Sequence, residues 1–191
     1  MVKTNILFLC LVILVGCNSR TNRTGFFPAG TFHDDPKRNA DISEWTVAYL
    51  NILQEPSLFA LSNDSKVQCY RLLLLPPLDK KPTAVRLTIK SDDTGTLDVK
   101  IMNGPEKNEP AQLIESKTIQ ASQQQVTNFL QLLDKANFWC LPVRDERKVV
   151  DGSTWIIEGV KDGEYQVVNR WSPEEGAYLE AALFLLELAD R

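Results

Sequence analysis

Histidine occurs once in this 191-residue chain, as His33. That scarcity removes many routes to catalysis. A serine or cysteine nucleophile needs a base beside it, and His33 lies in the irregular polar stretch "TFHDDPKRNA". The chain has no G-x-S-x-G, no H-E-x-x-H and no glycine-rich phosphate loop. "HDD" at 33–35 offers metal-ligating residue types, but one loop histidine beside two aspartates reads as solvated surface. No metal, no cofactor and no catalytic residue is therefore expected. An excess of positive charge is missing too. Lys+Arg number 21 against Asp+Glu 25, a formal charge of −4, which argues against a nucleic-acid surface.

Long apolar runs are absent with one exception, Ile6 to Gly16. A spanning helix needs about 20 apolar residues, so this run is too short to cross a bilayer. One cation, Lys3, precedes an apolar core of about 10 residues, the layout of a secretory signal. The run ends in Leu14-Val15-Gly16-Cys17, which resembles the lipobox of bacterial lipoproteins. The resemblance implies that residues 1–16 are a removable signal peptide, that the chain is cut between Gly16 and Cys17, and that Cys17 carries the lipid. Two or more acyl chains of the palmitate kind make such an anchor stable. Residue 18 is Asn rather than Asp. In such lipoproteins this leans toward the outer membrane, facing the periplasm, where the source has two membranes. The implied partner is the membrane itself, through Cys17. Loss of residues 1–16 removes Lys3 and leaves a formal charge of −5.

Cysteine is also scarce. With Cys10 removed and Cys17 lipidated, Cys69 and Cys140 remain. The compartment is oxidising, so a disulfide between them fits, contributing about 4 kcal/mol for so long a loop. Two separate buried thiols fit as well.

Residues 17–40 are rich in Asn, Thr, Gly, Pro and charge and read as a flexible tether. Residues 41–191 read as one α+β domain, an antiparallel sheet of about six strands with about three helices packed on one face. A first helix is expected from Asp41, with Glu44 completing a capping box and Pro56 ending it. "KVQCYRLLLLPP" is a strand whose leucine run, 72–75, reads as buried on both faces. "AVRLTIK" and "TLDVKI" alternate as a hairpin around "SDDTG", and "QLIESKTIQA" is a fourth strand. Ser122 caps a second helix with the stripe Val126, Phe129, Leu130, Leu133 and Ala136. "STWIIEGV" and "EYQVVNRW" form a last hairpin around Asp162-Gly163. A three-residue loop separates polarity best there, putting Trp155, Ile157, Tyr165, Val167 and Trp171 on one face and Glu158, Gln166 and Arg170 on the other. Ser172 and Pro173 then start a last helix with the stripe Leu179, Leu183, Leu186 and Ala189, widened by Ala182 and Leu185.

The segment "DGSTWIIEGVKDGEYQVVNRWSP", 151–173, is similar to the tail of a group of bacterial proteins with no assigned activity, D-G-x-x-W-I-x-E-G…Y-x-V-V-x-R-W-S-P. The resemblance implies a shared fold. It nominates Asp151, Glu158, Gln166 and Arg170 as a candidate binding surface, with Gln166 where the group carries histidine. Three functions remain in view. The first is a lipid-anchored, non-catalytic envelope module that binds a protein or wall component. The second is a carboxylate-dependent glycan hydrolase using Asp151 and Glu158. The third is a carrier of a small apolar ligand, with a pocket between the leucine-rich strand and the last helix.

Overall fold

The computed structural model describes residues 22–77, 80–104, 110–145 and 152–190. Cys17, the signal segment and Asp151 lie outside these residues. The described residues form one α+β domain on a six-stranded antiparallel sheet. The strands are β1 (Cys69–Leu75), β2 (Thr83–Ile89), β3 (Gly95–Met102), β4 (Leu113–Ala121), β5 (Thr154–Lys161) and β6 (Glu164–Trp171). Their order is β4-β3-β2-β1-β5-β6. The first four strands run as a meander outward from β1. The chain then returns to lay β5 on the other side of β1. This places β1 in the middle and explains the leucine run: Leu72 and Leu73 point to opposite faces and both are fully buried.

Helices cover both faces, not one. α3 (Gln123–Lys135) and α4 (Ala177–Ala189) pack on the face that shows Tyr70, Leu72, Val85, Leu87, Leu97, Val99, Ile157 and Val168. α1 (Pro36–Ile52) and the single turn α2 (Leu58–Leu61) cover the other, where Leu73, Leu75, Ala84, Ile156 and Val167 meet Leu50 and Leu53. α3 forms as expected, with Ser122 and Gln125 making a reciprocal capping box and Val126, Phe129 and Leu133 buried.

Three local expectations are corrected. The first helix starts at Pro36, not Asp41. Asp35 is its N-cap, accepting from Arg38 N–H at 2.9 Å, and Pro36 takes the first helical position. Residues 23–35, expected as tether, pack on the body. Phe32 is buried among Leu50 and Ile156, and Arg23 donates to Ser62 Oγ at 2.6 Å and Gly163 O at 2.7 Å. The last helix starts at Ala177, because the Ser172 hydroxyl is already used, accepting from Ser153 N–H at 2.9 Å. Of the expected stripe Ala182, Leu185 and Ala189 are buried, joined by Tyr178, Ala181 and Leu188, and Leu183 faces solvent.

The last hairpin takes the other register. Lys161 pairs with Glu164, so the loop is the two residues Asp162-Gly163, at φ 54° and 79°. These are the positive angles of a type I′ turn, whose twist matches the strands and suits Asp-Gly. Ile157 therefore lies opposite Val168, and Glu158 opposite Val167. Polarity misled here because the face bearing Glu158 is buried as well.

Candidate functional site

A row of polar side chains crosses the middle of the sheet on the α1 side. The register aligns Thr118, Asp98, Arg86, Arg71 and Glu158 on neighbouring strands. Arg71 and Glu158 are fully buried. Arg71 Nε donates to Glu158 Oε2 at 2.9 Å, and Nη2 donates to the same oxygen. Tyr165 O–H donates to Glu158 Oε1 at 2.9 Å, so both carboxylate oxygens are used. At the other end Arg86 Nη2 donates to Asp98 Oδ2 at 2.8 Å, and Thr118 O–H to Asp98 Oδ1 at 2.8 Å.

That arrangement sets two arginines side by side, since Arg71 pairs with Arg86. Like charges directly opposite on a sheet repel. Glu55, delivered by the loop after α1 and 5% exposed, is inserted between them. Its Oε2 lies 3.0 Å from Arg86 Nε and 3.4 Å from Arg71 Nη1, and Lys100 Nζ lies 3.2 Å from Oε1. Glu55, Asp98 and Glu158 thus face Arg71, Arg86 and Lys100, and the cluster is charge-balanced. Burial raises the Glu158 carboxyl above the usual range, and the guanidinium of Arg71 with the Tyr165 hydrogen bond works against that rise. Burial disfavours the Arg71 charge, but Glu158 and Glu55 together outweigh it and hold the guanidinium protonated.

The residues nominated from sequence do not form one surface. Glu158 is internal and on the α1 face. Gln166 and Arg170 hold the segment after α3 against β6. Gln166 Nε2 donates to Leu141 O at 3.0 Å and Phe138 O at 3.2 Å, and Arg170 Nη2 donates to Pro142 O at 3.0 Å. Asn169 N–H donates to Val143 O at 2.6 Å, so this edge of the sheet is covered. Gly159 completes the segment, since a Cβ there would sit 2.8 Å from the Phe138 ring and 3.0 Å from Tyr70. The distinctive tail residues therefore have jobs in holding the fold.

Cys69 and Cys140 are separate thiols. Cys69 is buried with Leu58 and Val160 on the α2 side, whereas Phe138, in the same short turn as Cys140, belongs to the opposite core. His33 serves a turn, its Nδ1 accepting from Asp35 N–H at 2.8 Å. Its neighbour Asp34 pairs with Arg144 at 2.6 Å, which lowers the Asp34 carboxyl pKa.

Three of the clefts on the described surface bear on the candidate residues. One of about 420 Å³ lies between Trp139, Lys161, Glu164 and Gln166. One of about 580 Å³ lies beside His33, Asp34 and Arg144. The smallest, about 220 Å³, lies between α1 and the β5–β6 hairpin, lined by Phe32, Ile42, Trp45, Thr154 and Trp171. None is lined by the Leu72–Leu75 run. At the mouth of the smallest, Trp45 is 48% exposed and stacks edge-on against Tyr49, and Ile42 is 36% exposed. Sequence reasoning missed Glu55 and Arg71. The signal for the latter was an arginine inside an otherwise apolar strand, "CYRLLLL". No family model and no curated protein matches the chain.

Proposed function

We propose that this is a lipid-anchored envelope lipoprotein, held by Cys17, whose body is a non-catalytic binding module for another envelope protein or a wall component. In a two-membrane bacterium it faces the periplasm from the outer membrane. The observation that supports the binding reading is the aromatic groove on α1. Trp45 and Ile42 spend apolar surface on solvent at the rim of a cleft that ends on Phe32 and Trp171. Exposed aromatic and aliphatic side chains grouped at a concavity are the usual make-up of an interface centre. The acid inside the described residues points the same way. Glu158, one of the two carboxylates considered for hydrolysis, is consumed by Arg71 and Tyr165 inside the sheet.

A photocrosslinking residue at Ile42 of the membrane-bound chain tests this. One discrete adduct is expected from Ile42, and none from the same group at Leu183, which is the more exposed apolar side chain and lies on the opposite layer. Equal adducts from both positions, or none from either, overturn the reading. Cys17→Ser should release the chain from the membrane or leave it as precursor. Unchanged, fully processed membrane attachment overturns the anchor.

A further inference from the structure

The two edges of the sheet differ. β6 is covered over residues 166–170 by residues 141–143, with Asn169 N–H bonded to Val143 O, whereas β4 has no backbone partner on its outer side among the described residues. We propose that this β4 edge pairs with the β4 edge of a second copy, antiparallel and centred on Ser116, joining two sheets into one.

The hydrogen-bond phase permits it. Lys90 N–H donates to Thr94 O at 2.8 Å and Met102 N–H to Pro82 O at 3.1 Å, which fixes the alternation between β2 and β3. With the observed registers, Leu97, Val99 and Ile101 turn their peptide groups toward β4, where they meet Ile119, Lys117 and Glu115. The intervening residues of β4, Ser116, Thr118 and Gln120, therefore direct theirs outward. A two-fold axis at Ser116 pairs outward groups with outward groups.

The side chains select the same register. Centred on Ser116, Glu115 of each copy faces Lys117 of the other, and Ile114 meets Thr118. Moving the axis by one residue, which the phase also allows, sets Lys117 against Lys117 or Glu115 against Glu115, which is destabilising. Glu115 and Lys117 are free to change partners. Their contact within one chain is 3.8 Å, with side chains 48% and 39% exposed. Ile114, 44% exposed, loses solvent on pairing. The bulge opposite Ile101–Met102 ends the ladder near Ile114, so the pairing is short. The axis stands normal to the sheet. Both copies therefore turn the layer carrying the N-terminal segment the same way, as two chains on one membrane require. This inference is independent of the groove on α1.

The test uses the full-length chain in mild detergent. Sedimentation should show a concentration-dependent dimer. Glu115→Lys and Lys117→Glu should each weaken it about tenfold, and the double reversal should restore it. In a Cys140→Ser background, which removes the exposed native thiol, Ser116→Cys should form a disulfide-linked dimer. Hydrogen-bonded antiparallel partners lie about 5.5 Å apart between Cα atoms, within disulfide reach. Thr118→Cys should not crosslink, because the two copies of that position lie about 14 Å apart in this register. A monomer at every concentration, leaving the edge to a foreign strand, overturns the proposal. So does a dimer indifferent to the charge reversals, or one in which Thr118→Cys crosslinks as well as Ser116→Cys.

Discussion

Tyr70 and Arg71 are neighbours in the central strand, and the two faces of the sheet differ as they do. Tyr70 points into a dry core, where Val126, Phe129, Leu133, Ala181, Ala182 and Leu185 cover an apolar sheet surface. Arg71 points into a layer whose centre is charged and whose surroundings are apolar: Phe32, Leu50, Leu53 and Leu58 enclose Glu55, Arg71 and Glu158. The dry face gains stability from area and tolerates many apolar solutions. The charged face gains little net energy from its ion pairs, because desolvating them costs about as much as their attraction returns. What it specifies is alignment. Arg71 meets Glu158, and Arg86 meets Asp98, in one register only, and a slip of one residue would drive Arg71 into the dry core.

The largest expected effects fall on both faces and differ in whether they can be rescued. Phe129→Ala removes a ring packed 5.4 Å from Tyr70 and should cost about 3–5 kcal/mol. Arg71→Met should cost a similar ~3–5 kcal/mol, for a different reason: Glu158 is left buried without its ion-pair partner and held by Tyr165 alone. Adding Glu158→Leu to Arg71→Met should recover much of that loss in urea unfolding. A double variant no more stable than the sum of two single losses would mean that the pair is not coupled, and the contrast between the faces would collapse.

Alkaline titration separates the faces again. Burial lifts the Cys69 thiol from an ordinary 9.0 to about 11 on the charged face. Burial likewise lifts the Tyr70 hydroxyl from 10.0 to about 12 on the dry one. Both groups stay neutral in the folded chain at a pH where the unfolded chain ionises. Their contribution is complete below about pH 9 and 10 and is lost as pH rises to about 11 and 12, at about 2–3 kcal/mol each. Cys69→Ala should shift the onset of alkaline unfolding upward, and Tyr70→Phe should flatten its later part. A profile identical in all three proteins would show that neither burial governs the alkaline limb.

Much of the dry face was legible from alternation alone. Val85, Leu87, Leu97 and Val99 announce one side of a hairpin, and Ser122 announces α3. The charged face was not legible, because its logic joins residues far apart in the chain: Arg71 lies 16 positions from Glu55 and 87 from Glu158. Read locally, Glu158 and Arg170 look like solvent-facing strand residues. That assumption selected the wrong register for the last hairpin, although Asp162-Gly163 already favoured a two-residue turn. The start of α1 carried a sound signal, Asp35 followed by Pro36, which the polar composition around it obscured. The aromatic groove needs the α1 face and the hairpin together, so no single segment encodes it.

The smallest effect belongs to an ion pair of the same chemistry as the buried one in an opposite setting. Lys135 and Glu180 join α3 to α4 at 2.7 Å, with side chains 62% and 48% exposed. Water already solvates both ends, so pairing them removes little and salt screens what is left. Lys135→Ala should change stability by no more than about 0.5 kcal/mol, and raising the salt concentration should shrink the difference further. The helices are held instead by Phe129, Leu133, Ala182 and Leu185 beneath them. A loss well above 1 kcal/mol, measured by urea unfolding at low salt, would mean that charge rather than packing holds the α3–α4 layer. The dry face would then depend on polar contacts as the other face does, and the difference between them would be one of position rather than of kind.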